Sequence, residues 1–200
     1  MEKYVVDEHK QDNYVVKIYQ DEDSRSPRED DNLGTMICFH RRYNLGDKHD
    51  YNSNNYSSWS EQKEDIMKNE DVCVILPLYL YDHSGITMNT TGFSCGWDSG
   101  QVGWIIVSKE KVRKEYDKKR ITQDIIDKVT SVLESEVKVY DQYLTGDVYG
   151  YVVSKVTECD LGCEHEEEVS SCWGYYGQDE CMEEGKSVMK YYIEKKEELV

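Results

Sequence analysis

The residues of this 200-residue sequence that are best suited to chemistry lie in short motifs. Gly92–Gly96 matches G-x-S-x-G, in which a strained strand-to-helix turn presents a serine nucleophile. An apolar strand follows here instead of a helix, so a glycine-rich turn is the preferred interpretation. Cys95 with His83 or His40 would make a thiol–imidazole pair, although no spacing brings them together. The sequence predicts no catalytic residue, and we leave open whether the protein is an enzyme.

A second group has residue types that bind zinc. Cys159, Cys163 and His165 are followed by Cys172 and Cys181, and four Cys or His ligands make a closed structural zinc site. The spacing is irregular and contains no C-x-x-C pair. We therefore favour free thiols over a zinc site, and we predict no metal and no cofactor.

Acidic residues are concentrated near the C-terminus. Residues 156–200 hold 13 acids and 4 bases, which is −9 of the formal net charge of −17. Three aromatic residues in Val169–Gly177 indicate that this region is folded, so its carboxylates can present a surface to a basic partner. The alternative is a solvated acidic loop. The predicted partner-binding residues are Glu158, Asp160, Glu164, Glu166, Glu167, Glu168, Asp179, Glu180, Glu183 and Glu184.

The charge excludes some function classes. A chain with 41 acids and 24 bases is poorly suited to binding a nucleic-acid backbone or an anionic membrane, since both need Lys and Arg. The beginning of the chain has no secretory signal, and Val72–Tyr81 is too short to span a bilayer. We expect a cytoplasmic protein with its seven cysteines reduced.

Two basic segments stand apart from this acidic background. His40–Arg42 can grip a phosphate, although pairing with the acidic loop at Glu29–Asp31 is the simpler interpretation. Lys109–Arg120 can face a negatively charged partner or form a solvated stripe beside a helix.

Hydrophobic patterning predicts an α+β fold with a mostly antiparallel sheet, in a single domain of residues 1–200 with an acidic portion from about 156. Two main helices are predicted at about 122–145 and 180–198, where apolar residues recur every three or four positions. A short helix is expected over Ser60–Asn69, and a long turn-rich loop over Asn44–Ser60. Strands are predicted at Tyr14–Gln20, Thr35–Tyr43, Val72–Tyr81, Gly103–Ser108, Tyr149–Val156 and Ser170–Tyr176.

Several stretches together resemble a family of small acidic proteins encoded by bacteriophages, prophages and mobile elements. No activity or site residue is carried over from that family. The stretches that carry the resemblance are Asn32–Asp47, Ile75–Thr90, Ser94–Tyr116, Tyr140–Val153 and Ser171–Gly177.

The resemblance implies an accessory protein that inhibits a host defence system, as anti-CRISPR and antirestriction proteins do. The expected partner is a basic host protein, such as a defence nuclease or CRISPR effector, and the acidic surface would mimic DNA. The alternative is an enzyme or a binder of a nucleotide or another small molecule. Its pocket would be lined by tyrosines and by Trp59, Trp97, Trp104 and Trp173.

Overall fold

The computed structural model describes residues 4–159 and 162–197, which form two compact units. Unit 1 contains the described residues up to Arg25 and from Gly146 onward, and unit 2 spans Ser26–Thr145. The strands are β1 (Val5–Gln11), β2 (Tyr14–Gln20), β3 (Thr35–Cys38), β4 (Val72–Asp82), β5 (Ile86–Asn89), β6 (Ser99–Ser108), β7 (Val148–Glu158) and β8 (Glu164–Tyr176). The α-helices are α1 (Trp59–Asn69), α2 (Lys109–Glu115), α3 (Gln123–Thr145) and α4 (Gln178–Glu197).

The mixed fold of strands and helices is confirmed, but its helices and sheets differ from the prediction. The described part of the chain has four helices instead of two main ones, and two antiparallel sheets instead of one. The main helices predicted at about 122–145 and 180–198 are α3 and α4. Helix α2 is not predicted from the sequence, because Val112 is the one apolar residue among its seven and a single residue makes no periodic pattern.

Unit 1 is an antiparallel sheet in the order β1-β2-β7-β8 with α4 packed on one face. Alternate residues of β2 point to that face, as the period of a strand requires. Gly185 allows α4 to approach the sheet closely, because a methyl group there would lie 2.6 Å from a Val16 methyl carbon. The buried cluster between helix and sheet consists of Tyr14, Val16, Ile18, Tyr151, Val153, Cys181, Met182 and Met189.

Unit 2 is an antiparallel sheet in the order β3-β6-β4-β5 with helical structure on both faces. Helix α3 covers one face with Val129, Leu133, Val137 and Tyr140, the stripe that its periodicity predicts. On the other face, Ile66 of α1 packs in a cluster with strand residues such as Ile37 and Trp104.

Proline in the central strand β4 is tolerated because of where β5 ends. The pairing of β4 with β5 covers only Tyr79–Asp82, so Pro77 faces β6 on one side alone. The missing N–H of proline therefore removes no hydrogen bond on the β5 side, as expected for an edge position.

None of the helices in residues 4–159 and 162–197 combines the length and the apolar character needed to cross a membrane.

Candidate functional site

An open cavity of about 1040 Å³ lies in unit 2, between the loop that follows β3, the beginning of α1 and the first half of β6. Its buried lining comes from Cys38, Leu45 and Val102. Burial raises the pKa of the Cys38 thiol to about 12, and nearby Asp47 adds to the effect. Cys38 therefore contributes apolar surface to the cavity and is a poor nucleophile.

Four aromatic side chains line the cavity. Phe39, Tyr43, Tyr51 and Trp59 all line it. The Phe39 ring contacts His49 at 4.9 Å between centroids and Trp59 at 6.4 Å. Rings held in this way offer flat, polarisable surfaces on which a planar ligand can stack.

A tight turn brings two arginines to the same cavity. The His40 ring stacks on Tyr43 at 4.9 Å, and its Nδ1 accepts the backbone N–H groups of Arg42 and Tyr43 at 3.3 and 3.2 Å. The neutral ring therefore carries its proton on Nε2. Arg42 donates to Asp82, whereas exposed Arg41 forms no ion pair with any described residue. One guanidinium at the cavity is thus uncommitted.

Hydrogen bonds to other parts of unit 2 hold the loop of residues 39–58, here called the cavity loop, in place. The Tyr140 hydroxyl accepts the N–H of Gly46 at 2.9 Å, and Asp47 accepts the N–H of Met36 at 2.7 Å. Asp47 also forms an ion pair with Arg28, whose side chain is only 5% exposed. Arg28 forms a second ion pair with Glu136 of α3. The loop is therefore fixed to the β3 strand and to α3 without a ligand, which lowers the entropy cost of binding.

The outer part of the loop is fixed to α1 and the residue that follows it. Tyr51 donates to Glu70 at 2.8 Å, and Tyr56 donates to Asp65 at 2.7 Å. Burial and the bond to Glu70 raise the pKa of Tyr51 well above its ordinary value. Ser58, rather than the neighbouring Ser60, caps α1 by accepting the N–H of Glu61 at 3.2 Å.

A smaller cleft of about 300 Å³ adjoins the cavity. The two spaces share His40, Arg42 and Val102 as lining residues. Trp97, which is 96% exposed, stands at this cleft on the loop between β5 and β6.

The four tryptophans predicted to line one pocket do not line one pocket together, although the Trp59 and Trp104 rings contact each other at 6.3 Å between centroids. Trp59 lines the cavity, and Trp97 lines the adjoining cleft. Trp104 is buried, with its Nε1 donating to Gln62 at 3.0 Å. Trp173 belongs to unit 1, where its ring centroid lies 6.2 Å from that of Tyr19. The prediction of one pocket lined by all four is wrong, because two of the rings serve the packing of other parts of the fold.

The acidic residues predicted to bind a partner lie in two groups in unit 1. Helix α4 begins just after β8 ends and runs back along it, since the Tyr192 hydroxyl donates to the Val169 carbonyl at 2.9 Å. From Glu166 to Tyr176 the strand spans roughly 33 Å. One group therefore lies near the end of β7 and the start of β8 (Glu158, Glu164, Glu166, Glu167, Glu168), and the other in the first turns of α4 (Asp179, Glu180, Glu183, Glu184). Asp160 lies outside the described residues.

Lysines accompany much of the first acidic group. Lys17 of β2 donates to both carboxylate oxygens of Glu166 at 2.6 Å, and this bond raises the pKa of Lys17. Lys10 lies 3.8 Å from Glu164, and Lys155 is the cross-strand neighbour of Glu167. The alternative of a solvated acidic loop does not hold for Glu164–Glu168, which are the first five residues of the edge strand β8. Charged side chains on such a strand prevent pairing with other chains.

The cysteine and histidine residues considered for zinc are not arranged as a site. Cys159 and Cys163 face each other across the β7–β8 turn, where the Cys163 N–H donates to Cys159 Sγ at 3.3 Å. His165 and Cys172 are exposed on β8, and Cys181 is buried under the sheet. Within residues 4–159 and 162–197, no three His, Cys, Asp or Glu side chains converge as metal ligands.

The G-x-S-x-G match lies in the loop between β5 and β6. Gly92 has a φ of +86°, and its N–H donates to Asn89 Oδ1 at 2.7 Å. Strand β6 follows the loop, so the strand-to-helix turn that presents a nucleophile is absent from this stretch. His83 contacts Asp98 at 3.3 Å.

No protein-family model, curated protein or solved structure matches this chain.

The alternative of an aromatic pocket includes Trp59 of this cavity, but the sequence does not indicate which other aromatic residues line it. Its aromatic residues Phe39, Tyr43 and Tyr51 come from a turn and a polar loop, and their spacing follows neither helix nor strand. The signal that was present is the frequency of aromatic residues between Phe39 and Trp59, a loop that is otherwise rich in Asn, Ser and Asp.

Proposed function

We propose that the protein is a binder of a small, planar, negatively charged molecule, of which a nucleotide is the best-fitting type, in the cavity of unit 2. The observation that carries the proposal is that Arg41, which forms no ion pair with any described residue, lines the same cavity as aromatic rings that include Tyr43 and Trp59. A guanidinium binds phosphate with paired hydrogen bonds, and the rings stack on a base.

The cavity has the size and the polarity that such a ligand needs. Its volume of about 1040 Å³ is at the upper end of the range for small-molecule sites. Asn52, Ser53 and Gln101 add neutral donors and acceptors that can orient a ligand, and Asp50 adds one carboxylate to the lining.

The net charge limits the kind of ligand. A chain of −17 repels a long polyanion, because favourable contacts at one site compete with the field of the whole molecule. We therefore infer a ligand with one or a few phosphates.

The experiment is a calorimetric titration of the full chain with adenosine 5′-monophosphate and guanosine 5′-monophosphate. We expect Arg41→Gln to weaken binding by about 10- to 150-fold, which corresponds to a charge-assisted hydrogen bond of about 1.5–3 kcal/mol. Arg113→Gln is the matched control, since Arg113 is exposed on α2 and does not line the cavity. Equal affinity of the two variants, or no binding by the native chain, would overturn the proposal.

A second candidate function is the inhibition of a host defence nuclease through the acidic residues. The observation that favours it is that all nine described members of the set are exposed. The test is complex formation with basic nucleases as a function of salt, using Glu167→Lys with Glu168→Lys. Asp179→Lys with Glu180→Lys distinguishes the two acidic groups. Binding that ignores both salt and charge reversal would eliminate a DNA mimic.

A further inference from the structure

We propose that the ligand of this site is a dinucleotide: two bases joined through a phosphate, one in the main cavity and the other on Trp97. The inference rests on the proposed function and specifies the substrate class of the same site. It starts from the fact that the cavity and the smaller cleft share three lining residues, His40, Arg42 and Val102. The two spaces therefore adjoin at these residues, and we call them together the trough.

Trp97 offers a second stacking surface at the far part of this trough. Its side chain is 96% exposed, so nearly the whole indole meets water in the free protein. A methyl group built at the preceding Gly96 would meet no atom within 4 Å outside its two chain neighbours, so the backbone before Trp97 is also open to solvent. A large apolar ring beside a cleft gains free energy when a base covers it.

Trp97 lies in the loop between β5 and β6, and hydrogen bonds hold the backbone of this loop near both of its ends. Asp98 follows Trp97 directly, and its carbonyl accepts the N–H of Asp82 at 2.8 Å while its carboxylate contacts His83 at 3.3 Å. On the other side, Asn89 Oδ1 accepts the N–H groups of Thr91 and Gly92 at 3.1 and 2.7 Å. A ring on a fixed backbone is a prepared platform, because little order is lost when it binds.

Arg42 lies where the phosphate that joins the two bases would pass. It lines both spaces, its side chain is 67% exposed, and one nitrogen donates to Asp82. Guanidinium has five N–H donors in a planar fork, so a bond to one carboxylate leaves donors for a phosphate. Arg41 in the main cavity adds a second positive charge.

Two bases with a linking phosphate also suit the overall charge. A phosphodiester carries a single negative charge, whereas each further nucleotide brings another charge into the field of a protein of −17. Stacking contributes favourable free energy for each base that finds an aromatic ring. The trough has two such stacking sites, Trp59 in the cavity and Trp97 in the cleft.

The experiment compares the affinities of adenosine 5′-monophosphate, the linear dinucleotide ApA, cyclic di-AMP and an eight-nucleotide oligoadenylate. We expect ApA or cyclic di-AMP to bind about tenfold or more tightly than the mononucleotide, since one additional base stacks. The two dinucleotides distinguish a linear from a cyclic ligand. The oligonucleotide should gain nothing over ApA.

Variants of Trp97 test the second stacking site. Trp97→Ala should reduce the affinity for the dinucleotide to that for the mononucleotide and leave the mononucleotide affinity unchanged. Trp97→Phe, which keeps a stacking ring, should retain most of the gain. The control is Tyr191→Ala, because Tyr191 is a 57% exposed aromatic residue on α4 of unit 1. A mononucleotide that binds as tightly as both dinucleotides, or dinucleotide binding that ignores Trp97→Ala, overturns the inference and leaves the proposed function standing. If no nucleotide binds, both fail.

Discussion

Arg28 binds Asp47 through two hydrogen bonds at once: Nε donates to Oδ1 at 3.0 Å, and Nη2 donates to Oδ2 at 2.6 Å. The remaining nitrogen, Nη1, donates to Glu136 at 3.0 Å. Burial lowers the pKa of this guanidinium, but the two carboxylates outweigh burial and raise it. The arrangement joins a loop before β3, the cavity loop and α3 within unit 2.

The first prediction concerns this buried network. Arg28→Ala leaves two carboxylates without their partner, and we expect the free energy of unfolding to fall by about 3–5 kcal/mol. Urea denaturation monitored by circular dichroism measures this change in the free energy of unfolding. The control is Lys109→Ala, which breaks the exposed pair with Asp71 and should cost less than about 1 kcal/mol. Similar losses in both variants would contradict the stabilising role of Arg28.

The second prediction concerns the buried hydrogen bond between Trp104 and Gln62, which is 2% exposed. Gln62→Leu leaves the indole N–H without an acceptor in the interior, so we expect a loss of about 1–3 kcal/mol. Thermal and urea unfolding measure it. Gln123→Leu, at the exposed start of α3, is the matched control and should stay within about 0.5 kcal/mol of the native chain.

The third prediction concerns the close approach of β7 and β8 at Gly150. A methyl group at this position would overlap the six-membered ring of Trp173. We expect Gly150→Ala to displace the tryptophan, lower stability by about 1–3 kcal/mol, and shift the near-ultraviolet circular dichroism. Gly100→Ala is the control, since nothing lies within 4 Å of a methyl group there. An unchanged Trp173 signal in Gly150→Ala would count against the packing described here.

The fourth prediction concerns the alkaline limit of stability. The pKa of Cys38 is about 9 for an ordinary thiol and about 12 in the fold, so the native state binds this proton more tightly. The contribution of this proton to the free energy of unfolding is complete below pH 9. It is lost as the pH rises toward 12, at up to about 1.4 kcal/mol for each pH unit. In Cys38→Ala, the free energy of unfolding should fall less steeply between pH 9 and 11.

Cys163→Ala is the control for this measurement, because Cys163 is an exposed cysteine. It should keep the pH dependence of the native chain. If Cys38→Ala also keeps it, another group is responsible for the alkaline loss of stability.

The elements that bury an apolar pattern could be predicted from the sequence. The bounds of β2 agree with the predicted Tyr14–Gln20, because β-branched and aromatic residues fill the strand. The stripe of α3 identifies its buried side for the same kind of reason. In these segments, local preference and tertiary packing select the same structure.

The acidic first part of β8 could not be predicted in this way. Residues Glu164–Glu168 are exposed at the edge of the sheet, so pairing with β7 on one side is enough to make them a strand. No alternation of apolar and polar residues is needed there. Strand β1 escaped prediction for the same reason, since it pairs only with β2 and buries none of its seven residues fully.

The cavity depends on contacts between distant parts of the chain. Trp59 and Val102 line it together although they are 43 positions apart, and the bond from Gly46 to Tyr140 joins residues 94 positions apart. Such contacts leave no periodic trace in the sequence. The sequence favours a pairing of His40–Arg42 with Glu29–Asp31, whereas Arg42 contacts Asp82 in the structure.

The carboxylates on the edge strand β8 have a consequence for the behaviour of the protein in acid. They keep other chains from adding to that edge, and they contribute to a net charge that disappears near the pI of 4.7. The electrostatic repulsion between molecules therefore weakens as the pH approaches the pI. Light scattering during a slow acid titration should detect the first oligomers as the pH approaches that value, well before the two units lose their circular dichroism.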